Sequence, residues 1–268
     1  KYDPLRELYL RRLLPWMIRR STRVIAISRS TEDDLVRLAH CPPQRIVRIA
    51  NGFDATAFHP RDTAASRGEL QRDGVRLPEH FLLYVSRLEH PGKNHVNLLA
   101  AYRRLLDRRP GLAEHLVFAG GRWNGAEAVD AAIRDLGLGD RVHCLGFVAD
   151  RHLPMLYATA TALVFPSLFE GFGLPVIEAQ ACGLAVAGAD CSSIPEVMGG
   201  AGLLFDPLDP ESIAEAIATL VDHPDRRAEL ARRGIENARS YTWEATAAAT
   251  ARLLREVIDA RRAHTDRA

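Results

Sequence analysis

Ala162-Leu163-Val164-Phe165-Pro166-Ser167-Leu168-Phe169-Glu170-Gly171-Phe172-Gly173-Leu174-Pro175-Val176-Ile177-Glu178 passes from an apolar run through a breaker-rich loop into a helix start. Four apolar residues in a row suit a strand buried on both faces, as in a parallel sheet. Pro175 suits the first turn of a helix opening near Leu174, where a missing N–H costs nothing. The unpaired amides of that helix end would point at the loop mouth. Two glycines let a ligand approach the backbone there, and the positive helix end favours a phosphate. Glu170 falls on the loop and Glu178 in the first helical turn. A carboxylate beside a phosphate repels it, so both glutamates suit hydrogen bonds from hydroxyls, such as those of a sugar and a ribose. Taken singly, Glu178 reads equally well as a carboxylate favoured by the helix dipole, and Glu170 as a loop cap.

The same alternation extends outward on both sides. Strands are expected at 81–86, 116–119, 142–145, 162–165 and 184–187, with helices from Asn94, near Ala126, near Leu153 and from Leu174 between them. Near-continuous apolar strands separated by helices predict an α/β fold with a doubly wound parallel sheet, whose ligands sit beyond the carboxyl ends of the strands. Ser86-Arg87, Gly120-Gly121, Gly146-Phe147-Val148 and the loop 167–173 all lie at such ends. Ahead of them, a helix at 4–20, a strand at 23–27, a helix at 28–38 and a strand at 45–49 read as the tail of another α/β unit. The polar, breaker-containing stretch that follows reads as a connection. The chain is therefore divided into 1–60, the last part of one α/β domain; 61–79, a linker; 80–240, a Rossmann-like domain; and 241–268, a closing helix. A helix is expected over 210–238 and another from Trp243.

Composition narrows the function classes. With 268 residues, 47% of them hydrophobic and 26% charged, the chain is an ordinary globular one, and its formal charge of +1 gives no field for nucleic acid. Cys41, Cys144, Cys182 and Cys191 show no metal-ligand spacing, and free thiols point to a reducing cytoplasm. There is no apolar run long enough to span a bilayer, while arginines among the apolar residues of the first helix leave peripheral contact with the inner membrane face open. The run around Gly120-Gly121 lacks the spaced three-glycine fingerprint of dinucleotide folds, which disfavours a dehydrogenase.

Lys93 is one of only two lysines against many arginines. Arg87 at a strand end and Lys93 at the following helix entry are two cations able to hold both phosphates of a nucleoside diphosphate as it leaves. Each alone reads as readily as a solvated surface charge. His90 and His95 flank the loop, where an exposed or hydrogen-bonding role suits them better than catalysis. No Asp-x-Asp pair is present, so charge on a departing diphosphate falls to Arg87, Lys93 and the helix end, and no metal cofactor is expected.

Four stretches together resemble the large family of retaining glycosyltransferases with two glutamates seven residues apart (glycosyl transferases group 1, family 4). They are Glu170 to Glu178; Asn51-Gly52-Phe53-Asp54 with Phe58 and Pro60; Ser86-Arg87-Leu88 with Lys93-Asn94; and Ser192-Ser193-Ile194-Pro195-Glu196-Val197. The resemblance implies a GT-B fold, of which 80–240 is the C-terminal nucleotide-sugar domain and 1–60 a remnant of the acceptor-side domain. It implies catalytic roles for Arg87, Lys93 and Glu170. It places ribose hydroxyls on Glu178, sugar and phosphate on the amides of Phe172, Gly173 and Leu174, and the base on Gly146, Phe147 and Val148, with Gly120 lining the crevice. The implied reaction moves a hexose from an NDP-sugar to a hydroxyl acceptor with retention. The run Glu89-His90-Pro91-Gly92-Lys93-Asn94-His95 resembles mannosyltransferase-like members, which favours GDP-mannose over a rival UDP-sugar; a lipid-linked or polysaccharide acceptor fits the family. Such a chain, lacking the rest of the acceptor domain, is expected to bind nucleotide sugar but turn over poorly. Two other readings stay open: an inactive nucleotide-sugar-binding module, and a GT-B sugar-nucleotide epimerase.

Overall fold

A computed structural model describes residues 7–265; the start of the expected first helix, including Leu5, lies outside them. In chain order the elements are a π-helical turn Tyr9–Leu13 leading into α1 (Leu14–Arg20), β1 (Val24–Ala26), α2 (Arg29–Arg37), β2 (Ile46–Arg48), α3 (Thr63–Arg72), β3 (Phe81–Val85) and α4 (His95–Arg108). There follow β4 (His115–Ala119), α5 (Ala126–Asp135), β5 (Val142–Gly146), α6 (Leu153–Thr159), β6 (Ala162–Phe165) and α7 (Leu174–Ala181). β7 (Val186–Ala189), α8 (Ile194–Met198), β8 (Leu203–Phe205), α9 (Pro210–Asp222), α10 (Pro224–Ala238) and α11 (Trp243–Thr265) complete the chain.

Two compact units result, 1–52 with 241–268 and 53–240. In the first, β1 and β2 pair in parallel, and Ala26, Cys41 and Ile46 form a small core with Ile18, Val24 and Leu35. Ser28 caps α2 by accepting from the Thr31 amide at 3.1 Å. The closing helix belongs to this unit: Thr246 Oγ1 donates to the Ala50 carbonyl at 2.8 Å, and a Cβ on Gly52 would lie 2.2 Å from the Trp243 nitrogen.

The second unit holds a six-stranded, all-parallel sheet in the order β5-β4-β3-β6-β7-β8. Its strands read as continuous apolar segments because both faces are covered: Phe81, Leu82, Leu83, Leu116, Val117, Phe118, Leu163 and Val164 are all fully buried. The chain leaves β3 toward β4 and β5 on one side, then returns to β6 on the other. The loops after β3 and β6 therefore part in opposite directions, and such a reversal opens a crevice at the carboxyl end of the sheet.

Three local differences from the expected elements have physical causes. Residues expected as a linker contain α3, whose N-cap Asp62 accepts from the Ala65 amide at 2.7 Å. Its buried side is only Ser66 and Leu70, too narrow a stripe to register as helical periodicity. The helix expected over 210–238 is two, because Pro224 has no N–H to continue the first. β7 lies two residues beyond 184–187, since the run from Leu184 to Ala189 is apolar or glycine throughout and carries no mark of its ends.

Candidate functional site

Loops after β3, β6 and β8 are tied together at the reversal by Asn94. It sits at the N-cap of α4 with φ 59°, the left-handed region that asparagine tolerates better than most residues. Its buried side-chain amide donates to the carbonyls of Pro166 at 3.0 Å and Pro207 at 2.7 Å. Tyr84, fully buried on β3, donates its hydroxyl to the Lys93 carbonyl at 2.7 Å and lies 2.9 Å from Ser167 Oγ. The Leu168 amide donates to the Gly92 carbonyl at 3.0 Å. Lys93 is thus fixed in its backbone on both sides.

From that position the Lys93 ammonium crosses to the β6 loop and lies 2.5 Å from Glu170 Oε1, with both side chains mostly shielded, at 18% and 15% exposure. The structure thus brings the side chains of two expected site residues into direct contact. Arg87 takes other partners. Its guanidinium lies 4.7 Å from the centre of the Trp123 ring and 3.3 Å from Glu89 Oε2, half exposed at the rim. The two expected cations therefore stand on different counter-groups, one inside the crevice and one at its edge. With Arg87 half exposed, such a pair contributes little to stability and leaves the guanidinium able to reorient.

Gly173 ends the β6 loop and is the N-cap of α7, with φ 99° and no side-chain cap. That φ calls for glycine, and a Cβ there would lie 2.8 Å from Ile194 Cδ1, the movable end of that side chain. Phe172 is buried, and Leu174 opens the helix. Ahead of Gly173 the loop is held from the turn after β7. The Glu170 amide donates to Ser192 Oγ at 3.0 Å, Ser192 Oγ donates to the Glu170 carbonyl at 2.8 Å, and Ser193 Oγ reaches the carbonyls of Glu170 at 3.1 Å and Phe172 at 2.9 Å.

Glu178 lies in the second turn of α7 rather than the first, since Leu174 is the first helical residue. One carboxylate oxygen accepts from the Tyr157 hydroxyl at 2.9 Å. Burial raises its pKa, the Tyr157 hydrogen bond pulls it down, and Asp150 pushes it up. Because the folded value exceeds the unfolded one, this group favours folding less as pH rises through the interval between them. Tyr157→Phe removes the one lowering influence, so the Glu178 pKa should move further up; a carboxyl-carbon NMR titration of native and variant checks this, and an unchanged value would contradict it.

The remaining expected residues are dispersed. Gly120 follows β4, where a Cβ would lie 1.9 Å from the Ser86 carbonyl oxygen; its amide donates to the Gly146 carbonyl at 2.8 Å. Close strand packing accounts for that glycine. Gly146 ends β5 with φ 71°, two strands from the reversal, followed by Phe147, 82% exposed, and the half-buried Val148.

Of the exposed and hydrogen-bonding roles expected for His95, the structure shows the second. It is fully buried against Tyr84 and Phe118, with Nε2 3.3 Å from Ser86 Oγ, and burial lowers its pKa to about 3. The unfolded chain therefore takes up a proton below about pH 6.5 that the folded chain refuses, so this residue's contribution to stability is lost as pH falls toward 3. Imidazole nitrogen shifts should report His95 neutral at pH 5; a protonated ring at that pH would contradict the burial argument.

Tyr84, Tyr157 and Trp123 were not singled out in the sequence. A tyrosine in an otherwise apolar strand, Phe81-Leu82-Leu83-Tyr84-Val85, is the one signal that could have found Tyr84, because a buried hydroxyl needs a partner. Among the described residues, no three His, Cys, Asp or Glu side chains are placed to hold a metal ion, and no helix is long and apolar enough to cross a membrane.

Comparison with known proteins identifies the family. Residues 68–241 match the family described as Glycosyl transferases group 1, and residues 1–57 match that described as Glycosyltransferase Family 4. O-antigen chain mannosyltransferase B of Escherichia coli is 33% identical over 227 residues, covering 82% of this chain and 57% of that protein. D-inositol 3-phosphate glycosyltransferase of Frankia alni is 35% identical over 248 residues, covering 89% and 60%. The chain thus spans little more than half the length of the curated relatives it matches. Among solved structures, sucrose-phosphate synthase from Thermosynechococcus elongatus superposes with TM-score 0.81 at 28% identity, covering 97% of this chain and 63% of that one. Anabaena HepE, solved with UDP and glucose, superposes with TM-score 0.80 at 24% identity over 91% and 66%, a likeness of fold.

Proposed function

We propose, given that this chain belongs to the glycosyl transferases group 1 family, that it is the donor-binding half of a retaining hexosyltransferase using a nucleoside-diphosphate sugar. The observation that carries the reading is the shielded Lys93–Glu170 pair, 2.5 Å apart across the crevice where the sheet reverses, in the loop that runs into the uncapped α7. A lysine is a point charge suited to phosphate, and the carboxylate beside it is suited to sugar hydroxyls. With donor bound, the diphosphate replaces Glu170 as the partner of Lys93, Glu170 accepts from the sugar, and Glu178 accepts from the ribose. Amides at Phe172, Gly173 and Leu174 complete the diphosphate cradle, and Gly146, Phe147 and Val148 border the base.

The bond from the anomeric carbon to the diphosphate breaks, the acceptor oxygen bonds to that carbon on the same face, and the acceptor's hydroxyl proton passes to an oxygen of the departing diphosphate. Lys93 and the amino end of α7 take up the charge left on the diphosphate, and Arg87 adds to it from the rim on leaving Trp123. No divalent metal is required in this reading. GDP-mannose is the favoured donor, supported by the run around Lys93 and by the mannosyltransferase among the relatives; the acceptor is a hydroxyl of a lipid-linked or polysaccharide chain. The 1–52 segment and α11, which form one unit, belong to the acceptor-side domain, and the protein works in the cytoplasm or at the inner face of a membrane.

The test is proton NMR of the whole protein with GDP-mannose or UDP-hexoses and hydroxyl acceptors. A product with the donor's anomeric configuration is expected. An isomerised sugar nucleotide formed without acceptor would instead identify an epimerase, and donor binding with no turnover an inactive binding module.

A further inference from the structure

We infer that Ser192 and Ser193 are positioning residues for Glu170: from the turn after β7 they set the backbone of the donor loop so that Glu170 faces the donor sugar while Lys93 holds the diphosphate. The inference rests on the donor-site reading above and adds a role for a motif that the reading leaves unused.

Four consecutive residues act on one loop. Cys191 Sγ lies 3.6 Å from the Ser167 carbonyl and 3.5 Å from that of Leu168. Ser192 Oγ accepts from the Glu170 amide at 3.0 Å and donates to the Glu170 carbonyl at 2.8 Å, so one hydroxyl clamps both polar groups of that residue's backbone. Ser193, fully buried, directs its hydroxyl at the carbonyls of Glu170 and Phe172. Ile194 Cδ1 fills the space where Gly173 would carry a Cβ. The loop between β6 and α7 has no ladder partner for these carbonyls, so the serine hydroxyls supply what secondary structure supplies elsewhere.

Ser192 carries a further mark. Its φ of 56° lies in the left-handed region, where a serine is held at a cost and where glycine is the ordinary choice. A glycine would relieve the backbone and lose the hydroxyl. That the position carries serine directs attention to the hydroxyl, which meets both the amide and the carbonyl of Glu170. A loop held only for stability would be served by any of its carbonyls; here hydroxyls of both serines converge on the backbone of the residue paired with Lys93.

Ser192→Gly keeps the backbone conformation and removes the clamp, and Ser193→Ala provides a second variant. Calorimetry on the chain compares GDP with GDP-mannose and UDP with UDP-glucose. For Ser192→Gly the expected result is diphosphate affinity within about twofold of native and sugar-nucleotide affinity lower by roughly tenfold, the effect of losing two modest hydrogen bonds that orient the carboxylate. In a Glu170→Gln background the Ser192 substitution should cost nothing more, because both act through the same carboxylate. Equal losses for diphosphate and sugar nucleotide, or losses that simply add to those of Glu170→Gln, would make the serines structural props and overturn the inference. So would sugar-nucleotide affinity unchanged by Ser192→Gly or by Glu170→Gln. If native chain binds neither diphosphate, the donor-site reading itself fails and takes the inference with it; diphosphate binding by native chain separates the two failures.

Discussion

Lys93→Ala lowers the affinity for a nucleoside diphosphate by about 100-fold, the cost of removing one charge-assisted contact in a shielded site and leaving the opposing carboxylate uncompensated. Glu170 is only 15% exposed in the native pair, so without the ammonium it would face the incoming phosphates as an unneutralised like charge. The companion substitution separates the two roles. Glu170→Gln removes the competitor for Lys93, so diphosphate affinity should hold or rise while sugar-nucleotide affinity falls. Lys93→Arg keeps the charge but brings a planar fork to a place shaped for a compact ammonium, and recovers only part of the loss. Isothermal calorimetry with GDP and UDP measures all three variants. Native-like affinity in Lys93→Ala would mean that the diphosphate lies elsewhere.

Asn94→Ala destabilises the second unit by about 3 kcal/mol, with roughly 1 kcal/mol for each of two buried hydrogen bonds and a similar cost for alanine in the left-handed region. The Pro166 and Pro207 carbonyls lose the donor that ties three loops at the crevice. A drop in melting temperature on the order of 10 °C is expected for a unit of this size. Asn94→Gly keeps the conformation and loses only the hydrogen bonds, so it should fall between native and alanine. If Asn94→Ala melts with the native protein, the tie across the reversal is not what holds the crevice together.

The architecture was legible because its strands carry it in their own composition. Ala162-Leu163-Val164-Phe165 and Phe81-Leu82-Leu83 can be read as doubly covered strands without any partner in view, and glycines and prolines mark the loops after them. Strand order was less legible, since the reversal at β3 and β6 depends on pairings between distant segments. α3 was missed because its core contact rests on little more than Leu70, and β8 because three residues with Leu204 half exposed show no periodicity. Within the candidate site, residue types and loop placement were readable for Lys93, Glu170 and Gly173. Side-chain partners were not. Arg87 meets Trp123 through a contact between two loops, Glu178 meets Tyr157 across two helices, and the two serines meet Glu170 from another strand end. Such contacts are made by the tertiary fold and leave no local trace in the chain.

The most direct test is a crystal structure of the chain with GDP or UDP bound. The account expects a phosphate oxygen within hydrogen-bond distance of Lys93 Nζ and of a main-chain amide at Gly173 or Leu174, with the Lys93–Glu170 contact opened to admit it. A diphosphate bound away from this crevice, with the Lys93–Glu170 contact intact at 2.5 Å, would contradict it.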